Sequence, residues 1–249
     1  MNTTQTQTDF HLPKQQDKAE YIQKNFDDIA EKYDLFNDLF TFGMHRRWKK
    51  LTVKLVQAQQ SNCSMDLCCG SGDLAILLAK ANPTAKVIAA DFSQGMLSVL
   101  KKRIQETEIE KQIEIRKEDA TKLPTEFKNS FDVVTTGYGI RNVTDREICF
   151  NQVFTVLKSG GRYGILEVGS IRPRILEPFA FFFMKYIIPR IGYLLQGRKH
   201  EMYEYLPQSA FVFPEPEQIV AELTSAGFSN VKFQRLFFGA SILYTAFKP

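Results

Sequence analysis

Between residues 15 and 40 the side chains of Tyr21, Ile22, Phe26, Ile29, Ala30 and Tyr33 recur at three- and four-residue spacing. That period predicts an amphipathic helix. RRWKKLTVKLVQAQQ, residues 46–60, predicts a second. From residue 63 the pattern changes to short apolar runs that alternate with helical ones. CSMDL, KVIAAD, QIEIRKED, SFDVVTTGY and RYGILEV predict five strands. LAILLAKA, QGMLSVLKKRIQE and REICFNQVFTVLK predict helices among them, the last ending at Ser159-Gly160-Gly161. After an interruption at 172–214, PEQIVAELTSAGF predicts a helix. VKFQRLFF and ASILYTAFK then predict two strands whose short turn at Gly239 makes them antiparallel neighbours.

Strands separated by helices imply βαβ units and a mainly parallel sheet, hence an α/β fold. The expected organisation is one domain over residues 15–249. It carries a helical cap at 15–60 and a helical insertion, or lid, at 172–214. Residues 1–14 are polar and are expected to form a disordered tail.

Composition changes this picture little. The chain has 249 residues, 44% hydrophobic and 24% charged, enough for one large core without disulfides. A net charge of +4 gives no basic stripe for nucleic acid. The N-terminus has no basic-then-apolar leader, so a cytoplasmic protein is expected. Cys63, Cys68, Cys69 and Cys149 form no CxxC pair, and His11, His45 and His200 are scattered. No metal site is expected, and the cysteines read as reduced thiols.

The candidate chemistry starts at MDLCCGSGDLA, residues 65–75, between the first strand and its helix. Gly70 and Gly72 let backbone amides approach a ligand at a helix N-terminus. Asp91 ends the next strand about twenty residues on, where an acid accepts hydrogen bonds from ribose hydroxyls. The ligand is therefore expected to carry an adenosine-type sugar. The third glycine of a dinucleotide fingerprint falls on Ala75, a tolerated variant, so spacing leaves a nicotinamide dinucleotide open. Asp66 and Asp73 flank the turn, and Asp119 follows the third strand. These acids favour a cationic amino-acid nucleoside over a pyrophosphate. Asp73 as a helix-start residue and Asp119-Ala120 as a loop start are the structural alternatives.

This order of motifs resembles the class I S-adenosylmethionine-dependent methyltransferases over residues 60–170, and by topology through 249. The resemblance implies a Rossmann-like, seven-stranded, mainly parallel sheet with the last strand antiparallel. YDLFNDLFTFGMHRRW (33–48), GYGIRNVTD (137–145) and VLKSGGRYGILEVGS (156–170) narrow it further. Together they are similar to the ubiquinone/menaquinone biosynthesis C-methyltransferase family, from Phe26 onward. Departures are Phe36 for Met, Thr41 for Ser, Ser159 for Pro, Gly169 for the Ser of Glu-x-Ser, and Gly137 where a serine is frequent. The Asp-Leu-Cys-Cys-Gly-Ser-Gly-Asp variant also occurs in the branch acting on naphthoquinone precursors.

The resemblance implies methyl transfer from S-adenosylmethionine to a ring carbon of a polyprenylated hydroquinone such as demethylmenaquinol. A benzoquinol, another small-molecule acceptor and a non-catalytic binding module are the alternatives. By motif match Ser71, Asp91, Asp119, Ala120 and Gly137 line the cofactor, with Gly70, Gly72, Asp73 and Met96 beside them. No metal is implied.

Carbon methylation needs an electron-rich ring, and a phenol of pKa ~10 supplies it once deprotonated. Arg141 follows the fourth strand at the carboxyl edge, where its charge would stabilise a phenolate, and Asn142 would orient the same oxygen. His45 is the candidate base and Tyr33 a further hydrogen-bonding residue. A surface role for Arg141, a capping role for His45 and an amphipathic-helix role for Tyr33 are the alternatives. Tyr138 packs against the ring or in the core.

Segment 171–199 is the most apolar, yet Glu177, Lys185, Arg190, Pro178 and Pro189 interrupt it. It reads as an aromatic lid over a polyprenyl tail rather than a spanning helix. Arg172, Arg174, Arg198 and Lys199 would meet head groups, giving peripheral contact at the inner face of the membrane. A buried helix or a homodimer interface is the alternative.

Overall fold

Residues 63–67 and 131–137 are buried at nearly every position, on both faces of each strand. Strands of that kind must be covered on both faces. In the computed structural model, which describes residues 12–14 and 17–249, they are the central strands of a seven-stranded sheet. The strands are β1 (Cys63–Leu67), β2 (Lys86–Asp91), β3 (Ile113–Lys117), β4 (Phe131–Gly137), β5 (Leu157–Val168), β6 (Ser229–Leu236) and β7 (Ser241–Phe247). Their spatial order is β3-β2-β1-β4-β5-β7-β6. The first five run parallel. β7 lies antiparallel between β5 and β6, so the last strand alone runs against the rest. The expected α/β architecture is the one observed. The tail at 1–14 lies almost wholly outside the described residues.

Helices α3 (Asp73–Ala81) and α4 (Gln94–Ile104) cover one face together with α2 (Met44–Leu55), packing Val53, Leu78 and Leu100 against Val87 and Val133. α5 (Arg146–Val156) and α9 (Pro216–Ser225) cover the other through Phe150, Val153, Ile219 and Leu223. A third cluster joins α1 (Lys18–Thr41) to the insertion. Ile22, Phe26 and Phe36 meet Ile188 of α7 (Ile188–Gln196) and Tyr203, Tyr205 and Leu206 of α8 (Met202–Phe211). α6 (Glu177–Phe182) runs into α7 through one wide π-type turn at Phe183–Ile187.

One boundary departs from expectation. Ser159-Gly160-Gly161 does not end α5, which stops at Val156. These residues bulge out of β5, whose register jumps from Phe131 opposite Leu157 to Val133 opposite Arg162. Gly160 takes φ +81° and donates its N–H to the Lys248 carbonyl, while the Lys248 N–H donates to that of Gly161. The glycines therefore bend a strand around the end of β7.

Candidate active site

After Leu67 the chain turns through Cys68, Gly70 and Gly72, all with positive φ, before α3 begins. A Cβ on Gly72 would stand 2.2 Å from Leu100 Cδ1. Gly72 is thus required by the packing of the turn on α4. Gly70 has nothing within 4 Å of the same position, so its face opens on free space. Two buried carboxylates hold this turn. Asp66 accepts the Ala75 N–H at 2.8 Å and the Thr135 hydroxyl at 3.0 Å, tying β1 to α3 and β4. Asp91 accepts the N–H groups of Gly70 at 2.8 Å and Ser93 at 2.9 Å. Burial pushes Asp66 up to about 7 and Asp91 up to about 6, against the pull of those hydrogen bonds.

The open face of the turn belongs to a cavity of about 950 Å³, the space at its mouth included, at the carboxyl edge of β1, β2 and β4. α1 forms its roof. Phe26, Tyr33 and Asn37 lie on one stripe of that helix and all line the cavity. Asp27 and Asp34 bind the roof to the floor. Asp27 accepts from the Ser93 hydroxyl at 2.6 Å and the Gly95 N–H at 2.7 Å, and Asp34 accepts from the Ser71 hydroxyl at 2.5 Å. Gly95 is glycine because a Cβ there would stand 2.8 Å from Asp27 Cα.

The expected site residues converge in large part. Gly70, Ser71, Asp73, Asp91, Met96, Asp119, Ala120 and Gly137 line the cavity, as do Tyr33 and Asn142. Asp119 sits at its exposed rim, accepting from the Thr121 N–H and hydroxyl, both at 2.8 Å. Three residues fall elsewhere. Gly72 packs behind the turn. His45 does not reach the lining. Its buried ring bonds Asp38 through Nε2 at 2.9 Å, and its Nδ1 lies 4.0 Å from Asp73. Burial first and Lys49 second lower its pKa, so it is a neutral brace at the α1–α2 corner.

Arg141 lies beside the cavity rather than in its wall. It lines a second, apolar pocket with Phe36, Phe40, Val168, Met184, Ile188, Leu206, Pro207 and Ala210. Asn37 lines both pockets. Arg141 is no surface arginine. Its Nη1 donates to the Tyr138 carbonyl at 2.9 Å and to the fully buried Glu167 at 2.5 Å, and its backbone N–H reaches the same carboxylate at 3.1 Å. Burial opposes its charge, but Glu167 and the nearby tyrosines outweigh that, so its pKa rises. Its Nε is buried with no hydrogen-bond partner among the described residues. Asn142 accepts from the Tyr205 hydroxyl at 3.1 Å.

The two acids of the turn do not act as expected. Asp66 uses both oxygens inside the fold. Asp73 is held by Lys49 at 2.8 Å and Arg103 at 2.7 Å. Burial alone would raise its pKa, but these two cations outweigh it and hold Asp73 well below the usual carboxylate range. Buried charges are paired inside the chain, so acidity of the turn does not by itself select a cationic ligand. Sequence reasoning missed Asp27, Asp34, Lys49 and Arg103. The seven-residue step from Asp27 to Asp34, parallel to that from Phe26 to Tyr33, was the available signal. Cys68 and Cys69 line the cavity, with burial raising both thiols well above the ordinary range, so they are neutral wall residues.

The sequence profile of the ubiE/COQ5 methyltransferase family matches residues 14–248. The chain belongs to that family. Among its ubiE/COQ5 relatives, the demethylmenaquinone methyltransferase of Leptospira interrogans is 37% identical over 243 residues, spanning 96% of this chain and 97% of its own. The ubiquinone/menaquinone biosynthesis C-methyltransferase of Pseudomonas fluorescens is 35% identical over 244 residues, or 96% and 93%. A Thermotoga maritima S-adenosylmethionine-dependent methyltransferase, titled a possible histamine N-methyltransferase, superposes with TM-score 0.63. At 18% identity over 92% of this chain and 100% of its own, it shares the fold. This ubiE/COQ5 protein is thus a methyltransferase dependent on S-adenosylmethionine.

Proposed function

We propose that this enzyme methylates a ring carbon of a polyprenylated hydroquinone, a demethylmenaquinol in the first instance. The names of its relatives support the acceptor class. The observation that carries the reading is the pairing of two pockets at Asn37. One is lined by the glycine turn and Asp91, the other is apolar with a buried cation in its wall.

The first pocket fits the cofactor. Gly70 leaves open space where a side chain would stand, and the buried Asp91 brings carboxylate oxygens to the end of β2. Gly70, Ser71, Asp91, Met96, Asp119, Ala120 and Gly137 would hold S-adenosylmethionine. When bound, it supplies an electrophilic methyl group on a sulfonium, which departs as a neutral thioether. Phe26 and Phe92 give that space apolar walls, and α1 keeps water from above.

In the second pocket, about 310 Å³ with the space at its mouth included, the inner side of the insertion meets Phe36 and Phe40 in an apolar lining that matches an isoprenoid in chemistry. Arg141 supplies a fixed charge where the ring oxygen would lie. An unpartnered buried donor is costly, and a phenolic oxygen on Nε would satisfy it. A neighbouring arginine lowers an acid's pKa by about 1–3 units. For the buried Tyr205 hydroxyl near Arg141, burial and Glu167 outweigh that pull, so the guanidinium offsets part of the desolvation of a buried phenol rather than reversing it. Glu167 anchors Arg141, and Tyr205 orients Asn142. Tyr33 serves as a hydrogen-bonding wall, since burial raises its pKa and disfavours it as a base at neutral pH.

The test is turnover of purified protein with S-adenosylmethionine and a panel of reduced naphthoquinols and benzoquinols. Naphthoquinols lacking the ring methyl are expected to give the highest kcat/KM. Preference for benzoquinols moves the assignment to the ubiquinone branch. No turnover with any quinol rejects it.

A further inference from the structure

The segment from α6 to α7 is apolar on both sides. Its inner residues Phe183, Met184, Ile188 and Ile191 pack on α1 and α8. Its outer residues Phe179, Phe182, Tyr186 and Leu194 recur at helical spacing and face solvent, with Phe179 74% and Leu194 84% exposed. A helix apolar all round is stable when both sides are covered. Here one side is bare.

Two other chain segments expose phenylalanines next to the insertion. Phe42, 78% exposed at the α1–α2 turn, stacks on Phe183 with ring centres 6.4 Å apart. At the β6–β7 turn Phe237 and Phe238 are both exposed, and both have positive φ. The turn sits at the carboxyl end of β5, because Ser241 pairs with Val168. It is tied to the start of the insertion by the Arg172 N–H, which donates to the Phe238 carbonyl at 2.6 Å. Three separate elements thus expose phenylalanines around the insertion.

Charge identifies the occupant. Residues 171–199 hold six cations and one acid; Arg172 pairs with Glu215 at 3.2 Å and Arg174 lies 3.9 Å from Glu177, which leaves Lys185, Arg190, Arg198 and Lys199 with no ion pair among the described residues. Lys185 Nζ lies 5.4 Å from the ring centres of both Phe181 and Tyr186, so cations and aromatics are interleaved. A second copy docked through the same face would set these cations against each other. An anionic lipid surface satisfies both the rings and the cations.

We propose that the outer side of α6–α7, with Phe42 and the Phe237-Phe238 turn, docks this enzyme on an anionic lipid surface beside the opening for its acceptor. The choice of a lipid occupant rests on the quinol reading above. Among the described residues no helix is long and apolar enough to cross a membrane, so docking is peripheral.

The test is cosedimentation of the full chain with phosphatidylcholine vesicles, with and without phosphatidylglycerol and without quinol. Binding to the anionic vesicles at low salt, and release at high salt, is expected. Phe179→Ser with Phe182→Ser is expected to weaken that binding by about tenfold. Arg174→Glu with Arg198→Glu is expected to weaken it by roughly tenfold or more on anionic vesicles alone. Both double variants alter exposed side chains and are expected to turn over a short-tailed, water-soluble quinol at the wild-type rate.

Wild-type protein that stays in the supernatant overturns the proposal. So does equal binding to neutral vesicles, or a Phe179→Ser/Phe182→Ser protein that binds as tightly as wild type. A wild-type dimer split by that variant, with no vesicle binding, assigns the face to a second copy instead. Vesicle binding without methylation of the soluble quinol leaves docking in place and rejects the quinol reading, so the two failures are separately visible.

Discussion

Replacing Gly70 and Gly72 by alanine, one at a time, separates the binding role of the turn from its packing role. Gly72 has φ +87°, and its new methyl would stand 2.2 Å from Leu100 Cδ1, on a fully buried residue. The left-handed backbone costs about 1–2 kcal/mol and the overpacking about 1–3 kcal/mol. Gly72→Ala is therefore expected to destabilise the fold by about 2–5 kcal/mol. Gly70 has φ +55° and no atom within 4 Å of its added methyl. Only the backbone cost applies there, at the low end of about 1–2 kcal/mol. Its methyl instead enters the space proposed for the cofactor, and affinity for S-adenosylhomocysteine is expected to fall at least tenfold, about 1.4 kcal/mol. Urea unfolding reads the first quantity and titration calorimetry on the folded proteins reads the second. Gly70→Ala protein that titrates like wild type would refute the placement of the cofactor over this turn. A wild-type unfolding midpoint for Gly72→Ala would refute the packing argument.

Other perturbations address the remaining parts of the site. Arg141→Ala is expected to lower turnover by about a hundredfold or more while leaving S-adenosylhomocysteine affinity within about threefold, because Arg141 is outside the cofactor lining. It should also cost about 3–5 kcal/mol of stability by stranding Glu167; steady-state kinetics, calorimetry and urea unfolding check the three parts. His45→Gln is expected to keep wild-type turnover, since His45 braces Asp38 away from the cavity; a large loss of kcat would restore it as a candidate base. Burial raises Asp91 to about 6, and ribose hydroxyls need its ionised form. Cofactor affinity should therefore be full above that pH and weaken as pH falls through it, with the dependence absent in Asp91→Asn; calorimetry across the range reads this. Arg103→Leu frees one side of Asp73 and releases the Ser71 carbonyl, so a several-fold loss of cofactor affinity is expected by the same titration.

How much of this was legible depended on the range of the interaction. β1, the short CSMDL segment, and the Gly70–Gly72 turn are local, and the sequence pattern located both. Ser159-Gly160-Gly161 misled because a glycine pair after a helix reads as a cap. It serves here as a bulge only because the end of β7 reaches it from nearly ninety residues away. His45 is a related case. A titratable imidazole invites a catalytic role, but its partners Asp38 and Asp73 come from two other places in the chain. Asp73 looked free for a ligand because Lys49 and Arg103, which neutralise it, lie on helices whose approach no local pattern reveals. Arg141 was correctly placed at the carboxyl edge of the sheet. Its burial against Glu167, and the pocket it shares with the insertion, required the fold.

The position of the transferred methyl group tests the central claim most directly. Purified protein is given S-adenosylmethionine labelled with carbon-13 at the methyl group and a reduced naphthoquinol, and the product is read by carbon NMR and mass. The account predicts one label, bonded to a ring carbon, with both phenolic oxygens unmethylated. A label on oxygen, or an acceptor recovered unchanged beside intact cofactor, would contradict it.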